Sequence, residues 1–150
     1  EIVEVVSNNY SSKIAMRIGA RLVLFVEEKG LGHVTGADGG YKVLGERYIP
    51  DVAFISKKRQ PESSHEVYNP NAPDLVVEVL SPTDKPDDVM LKIYNYILAG
   101  VVVWKINPEA KTVEVYIPGK KAQRLRVNDT LDGGDVLPGF QVAVKDIFPD

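Results

Sequence analysis

Three residues of this chain have the types and spacing for hydrolytic chemistry. Asp51 follows Pro50 at the head of a strand-like run, Glu78 interrupts the apolar stretch PDLVVEVLSP, and Lys92 stands within DDVMLKIYNY. Two carboxylates brought to one side of a sheet repel each other unless a cation sits between them or one keeps its proton. Mg²⁺ takes oxygen ligands at ~2.1 Å and keeps several of its waters. Such a centre generates hydroxide and stabilises charge on a phosphoryl oxygen. A lysine is a compact charge on a flexible stem, suited to holding the attacking water or the phosphate. Each residue also has a plainer reading. Asp51 suits a solvated strand start or a turn hydrogen bond, and Lys92 suits a solvated helix face. Glu78 is harder to dismiss, because a carboxylate inside an apolar strand either faces solvent or must be paired.

The elements that must position these groups follow from periodicity. A short strand is expected over residues 1 to 6. Ser11 or Ser12 is a candidate cap for a helix from about Lys13 to Glu28, with Ile14, Ile18, Leu22 and Phe25 or Val26 at helical spacing. Gly30 and Gly32 stop it. Asp38-Gly39-Gly40 reads as a hairpin turn and Gly45-Glu46 as a weaker second one. Strands are expected over 51–56 and 74–80, separated by a polar segment at 57–73 that is long for a compact domain. Asp84 is a candidate cap for a second helix that admits Pro86 in its first turn and ends at Gly100. Its apolar face is expected to comprise Met90, Ile93, Tyr94 and Ile97, with Lys92 beside Asp88 and Tyr96. VVVWKI, TVEVYIP and KAQRLRV are further strands, and VVVW has the continuous apolar character of an interior strand. Within the 74–80 strand, Asp74, Val76, Glu78 and Leu80 share one face. Asp51 shares a face with Ala53 and Ile55, so both acids can meet if the two strands are neighbours. The expected class is α/β: a mixed central sheet flanked by helices.

Bulk properties narrow the function. The 150 residues suit one domain with a real core, and 44% apolar with 26% charged residues is ordinary for a soluble globular protein. A net charge of -3, from 21 acids and 18 bases, gives no global attraction to nucleic acid, although local basic patches can act. The absence of cysteine excludes disulfides, thiolate metal sites and cysteine nucleophiles, and fits a cytoplasmic protein. No stretch approaches the ~20 apolar residues of a membrane span. His33 and His65 have no metal-ligand spacing, and the glycine-rich LDGGDVLPG lacks a phosphate-loop pattern, so no organic cofactor is expected. Arg47, Lys57, Lys58 and Arg59, and separately Lys120, Lys121, Arg124 and Arg126, form basic groups. They suit either phosphate contact or simple solvation.

The ordered blocks PDVAFIS, PDLVVEVLSP, KIYNYILAGV, VWKINPEAKTVEVYIPG and DTLDGGDVLPGF resemble the Uma2 family of bacterial restriction-endonuclease-like proteins, within the PD-(D/E)xK nuclease superfamily. The resemblance runs from Ile2 to Phe148. It implies a single restriction endonuclease-like domain over 1–150, and a longer native chain upstream of Glu1. It implies Asp51 and Glu78 as ligands of Mg²⁺ or Mn²⁺, with Asp51, Glu78 and Lys92 as the catalytic set. Leu80 stands where the superfamily's usual lysine would be, and Lys92 matches the members whose lysine has moved to the next helix. A further acid often comes from the first helix. Residues 13–25 hold none, which leaves Glu4 or Glu1 as acids that could approach. The implied activity is metal-dependent hydrolysis of DNA. The alternative is a catalytically inactive or regulatory module binding nucleic acid or protein, and a homodimer is the expected assembly.

Overall fold

The computed structural model describes residues 8–149. The strand expected over 1–6, with Glu1 and Glu4, lies outside the described residues. The chain opens with α1 (Asn9–Lys29), which buries Ile14, Ile18, Leu22 and Val26 along one face. Its cap is Asn8 and not a serine: the Asn8 side chain accepts from the Ser11 N–H at 2.8 Å. Ser11 is buried, and its hydroxyl instead donates to the Leu80 carbonyl at 2.8 Å, which ties the helix start to the central sheet. Gly30 closes the helix in the left-handed conformation, as its position suggested.

Six strands form the main sheet: β1 (Gly32–Thr35), β4 (Val52–Ser56), β6 (Leu75–Val79), β7 (Val102–Asn107), β8 (Thr112–Tyr116) and β9 (Gln123–Leu125), in that spatial order. All neighbours are antiparallel except β6 and β7, which run parallel. That parallel pair is joined by the crossover helix α2 (Pro86–Leu98). The sheet is therefore mixed and covered on both faces. On one side, α1 packs against Val52, Phe54, Leu75, Val77 and Trp104. On the other, Ile93 and Tyr96 of α2 pack with Ala53, Val76 and Val103.

Three smaller strands, β2 (Gly40–Val43), β3 (Glu46–Tyr48) and β5 (Tyr68–Asn69), make a separate sheet in the order β3-β2-β5. Tyr41 and Val43 carry it onto the α2 side of the core. The turn at Asp38–Gly40 consequently does not make a hairpin: β1 pairs with β4, and β2 with β3 and β5. Hairpin β10 (Thr130–Asp132) with β11 (Gln141–Ala143), and the short α3 (Val144–Ile147), close the α1 side.

Two expectations about α2 change. Its cap is Lys85, with no side-chain bond, while the Asp84 carboxylate accepts from the Ser81 N–H at 2.8 Å. The helix buries Ile93 and Tyr96, whereas Tyr94 is exposed. The inward arc is rotated toward Lys92 because α2 lies over Glu78, and the Tyr96 hydroxyl finds a polar partner there. No helix among the described residues is long and apolar enough to cross a membrane.

Candidate active site

Strand alternation places the two acids together. β4 and β6 are adjacent, with Val52 opposite Val77 and Ala53 opposite Val76. One step further along this register sets Asp51 opposite Glu78. Both lie on the α2 side, the side of Ala53 and Val76. The Asp51 Oδ2 accepts from the Val79 N–H at 2.7 Å, which fixes its carboxylate beside Glu78. Burial raises the Asp51 pKa above the usual carboxylate value. The Val79 hydrogen bond and the Lys92 charge oppose the shift, and the Asp84 carboxylate adds to it.

Glu78 is an acid in the middle of the fold, only 7% exposed. Lys92 Nζ stands 3.4 Å from its Oε1, and the Tyr96 hydroxyl donates to its Oε2 at 3.2 Å. The helical spacing of Lys92 and Tyr96 brings both onto one carboxylate. Burial pushes the Glu78 carboxyl up to about 7. The Lys92 charge works against that rise, the Asp51 carboxylate adds to it, and the hydrogen bonds from Tyr96 and Lys92 oppose it. Burial, followed by the neighbouring Glu78, holds the Tyr96 phenol far above its ordinary value, so it is a fixed donor.

The structure thus brings Asp51, Glu78 and Lys92 into one cluster. Sequence reasoning gave Tyr96 no site role, although it lies four residues beyond Lys92. Behind it the Tyr48 ring lies 5.1 Å away, and the Tyr48 hydroxyl accepts from Asn95 Nδ2 at 2.6 Å. Asp84, read as a helix cap, instead bears electrostatically on Asp51. Leu80 lies beyond the end of β6 and lines a separate cavity of about 460 Å³ with Tyr10, Ser11 and Pro108.

Arg59 and Arg124 of the basic groups form internal ion pairs. Arg59 pairs with Asp74 at 3.3 Å and donates to the Ala72 and Pro73 carbonyls. Arg124 pairs with Glu114, which also binds Lys105 at 2.7 Å.

Comparison with known proteins decides the lineage. The family model Uma2, described as "Putative restriction endonuclease", matches residues 1–145. The chain belongs to the Uma2 family. Its fold matches a crystal structure described as a "putative nuclease belonging to DUF820" from Anabaena variabilis ATCC 29413. The TM-score is 0.87 at 19% identity, covering 99% of this chain and 85% of that one. No curated protein matches it. The Uma2 chain therefore carries its acid pair on a nuclease-like fold, with a mixed sheet between helices.

The residues also fit a hard divalent cation. The donors are oxygens only, and Mg²⁺ commonly takes one or two carboxylates and completes its shell with water. Ionising Glu78 is costly partly because Asp51 is beside it, a repulsion that a bound cation relieves. Among the described residues, no group of three or more His, Asp or Glu could hold a metal.

Proposed function

We propose that this Uma2 chain is a divalent-metal-dependent nuclease that hydrolyses phosphodiester bonds of DNA. Asp51 and Glu78 hold Mg²⁺ or Mn²⁺, and Lys92 steers the water and the phosphate. The observation that carries the reading is the convergence on Glu78: Lys92 3.4 Å away on one side, and Asp51 one strand over on the other.

The metal, when bound, supplies an acidified water and neutralises charge on a phosphoryl oxygen. The chain's own residues do the rest. The Val79 N–H holds Asp51, and Tyr96 orients Glu78 from a fully buried ring. Lys92, half-exposed on α2, can donate from Nζ to the attacking water or to a non-bridging oxygen. The attacking water gives up one proton to solvent and bonds to phosphorus as the bond to the leaving sugar oxygen breaks, and that oxygen takes up a proton from solvent. We assign the protein to the cytoplasm, where a DNA substrate would be met, and to a homodimer, since cutting both strands of a duplex suits two copies of one site.

Calorimetric titration with Mg²⁺ and Mn²⁺ tests the site. The wild type is expected to bind and to nick plasmid DNA, whereas Asp51→Ala does neither. No metal-dependent heat in either protein sinks the assignment. A second reading, a binding module without catalysis, is favoured by the lack of a third acid among the described residues. Metal-independent DNA binding with no cleavage would select it.

A further inference from the structure

The β2–β3 hairpin breaks three local rules within a few residues. Lys42 and Arg47 are directly opposite each other on its two strands, and both are exposed. Like charges so placed repel. Neither makes an ion pair among the described residues. At the tip, Leu44 has φ 50 and Gly45 has φ 82, a two-residue turn in which a leucine takes the left-handed conformation. That region suits Asn, Asp or Gly and not an aliphatic side chain. The same Leu44 is 59% exposed. Local features that cost stability, gathered at one place, mark function more often than accident.

The hairpin is also braced. The Arg47 guanidinium lies over the Tyr68 ring, 5.3 Å from its centroid. Tyr68 in turn occupies the space that a side chain at Gly40 would need, with ring carbons 2.6 and 2.8 Å from where a Cβ would stand. At its base, Tyr48 contacts Tyr96 and Asn95 of α2, and Asp51 follows three residues later. A firm basic ribbon with an apolar tip is therefore built directly onto the elements that carry the acid pair. The one acid near the tip is Glu46, opposite Val43.

We propose that this hairpin is a DNA-docking arm. Lys42 and Arg47 neutralise phosphates of a duplex, and Leu44 packs into the groove beside them. The inference rests on the nuclease reading and extends it to how substrate is held. Phosphate contacts of this kind position a duplex without reading its sequence. An apolar side chain at a ribbon tip can wedge against bases and sugars.

Binding of a labelled duplex oligonucleotide to the full chain, measured across a salt series, tests it. The variants are made in a Lys92→Ala background so that substrate is not consumed. Lys42→Thr/Arg47→Thr keeps strand-forming residues; the repulsion it removes offsets the Arg47–Tyr68 contact it loses, so its melting temperature should stay within a few degrees of the background. Its affinity should fall roughly tenfold or more, and the slope of log affinity against log salt should shrink by about 2. Leu44→Asn, better suited to the turn, should also weaken binding without loss of stability. Equal affinity and slope in the double variant, while wild type still cuts plasmid, overturns the arm and leaves the nuclease reading standing. Unfolding of the double variant at the assay temperature, accompanying the loss, overturns it too, because the positions would then be structural. Unchanged binding by Leu44→Asn overturns the role of the tip. A wild type that neither binds nor cuts DNA overturns both proposals.

Discussion

The Tyr96 hydroxyl donates to Glu78 Oε2 at 3.2 Å, from a ring with no solvent exposure. This contact leaves Oε1 toward Lys92 and holds the carboxylate in one orientation. Tyr96→Phe removes only the donor, so Glu78 loses a bond that favours its ionised form. Mg²⁺ affinity should fall by roughly 10- to 100-fold, the usual effect of losing a partner behind a metal ligand. The apparent pKa for metal binding should move upward. Calorimetry across a pH series checks both, and an unchanged pH dependence would reduce Tyr96 to a packing residue.

Glu78 also sets a stability profile. Its folded pKa is raised from 4.5 to about 7, so between these values the native state keeps a proton that the unfolded chain has released. Stability therefore falls as pH rises through that window, and above about pH 7 the full penalty, on the order of 3 kcal/mol, is present. Glu78→Gln should be the more stable protein at about pH 8 and should lose this contribution to the slope. Urea unfolding of both proteins at about pH 5 and about pH 8 measures the difference. Saturating Mg²⁺ should restore wild-type stability at the higher pH and do nothing for Glu78→Gln, because a ligand of the native state alone stabilises it.

The acid pair was legible because strand period is two: Asp51 and Glu78 could be placed on sheet faces without knowing the fold. The lysine followed from a helix starting soon after the strand. Tyr96 was not legible as a site residue, because a buried phenol on an inward helix face looks like core until its hydroxyl partner is known. Pairing was harder still. Asp38-Gly39-Gly40 has hairpin chemistry, yet β1 pairs with β4 and β2 with β3 and β5. Turn residues report a local bend and not which distant strand wins the edge. Arg59 looked available to phosphate for the same reason, since nothing local shows that Asp74 claims it.

That claim holds the long connection between β4 and β6 in place. Asp74 accepts from the Ser56 N–H at 2.6 Å and pairs with Arg59, whose guanidinium also binds the Ala72 and Pro73 carbonyls. Asp74→Ala should loosen both ends of the 57–73 segment and cost about 1–3 kcal/mol, since it leaves the Ser56 N–H without its acceptor and removes the carboxylate that anchors Arg59. Protease sensitivity within 57–73 should rise. Metal affinity should stay within a few-fold, because the carboxylate is engaged away from Glu78. A stable variant with unchanged proteolysis would show that the segment is held by its other contacts.

Lys92→Ala removes the charge nearest Glu78 and should abolish measurable plasmid cleavage, while leaving Glu78 neutral to a higher pH. By strand parity, Leu80 would seem the place to restore that charge. The backbone argues otherwise. β6 ends at Val79, the Leu80 N–H donates to Ile106 and its carbonyl accepts from Ser11. Its side chain lines the cavity beside Tyr10 and Pro108, which neither Glu78 nor Lys92 lines. Leu80→Lys in the Lys92→Ala background should therefore leave the protein inactive, at a stability cost from losing half-buried apolar surface. Plasmid nicking assays on the single and double variants decide the matter. Recovered cleavage in the double variant would mean that position 80 reaches the acid pair after all, and that the helix lysine is one of two interchangeable sources of the same charge.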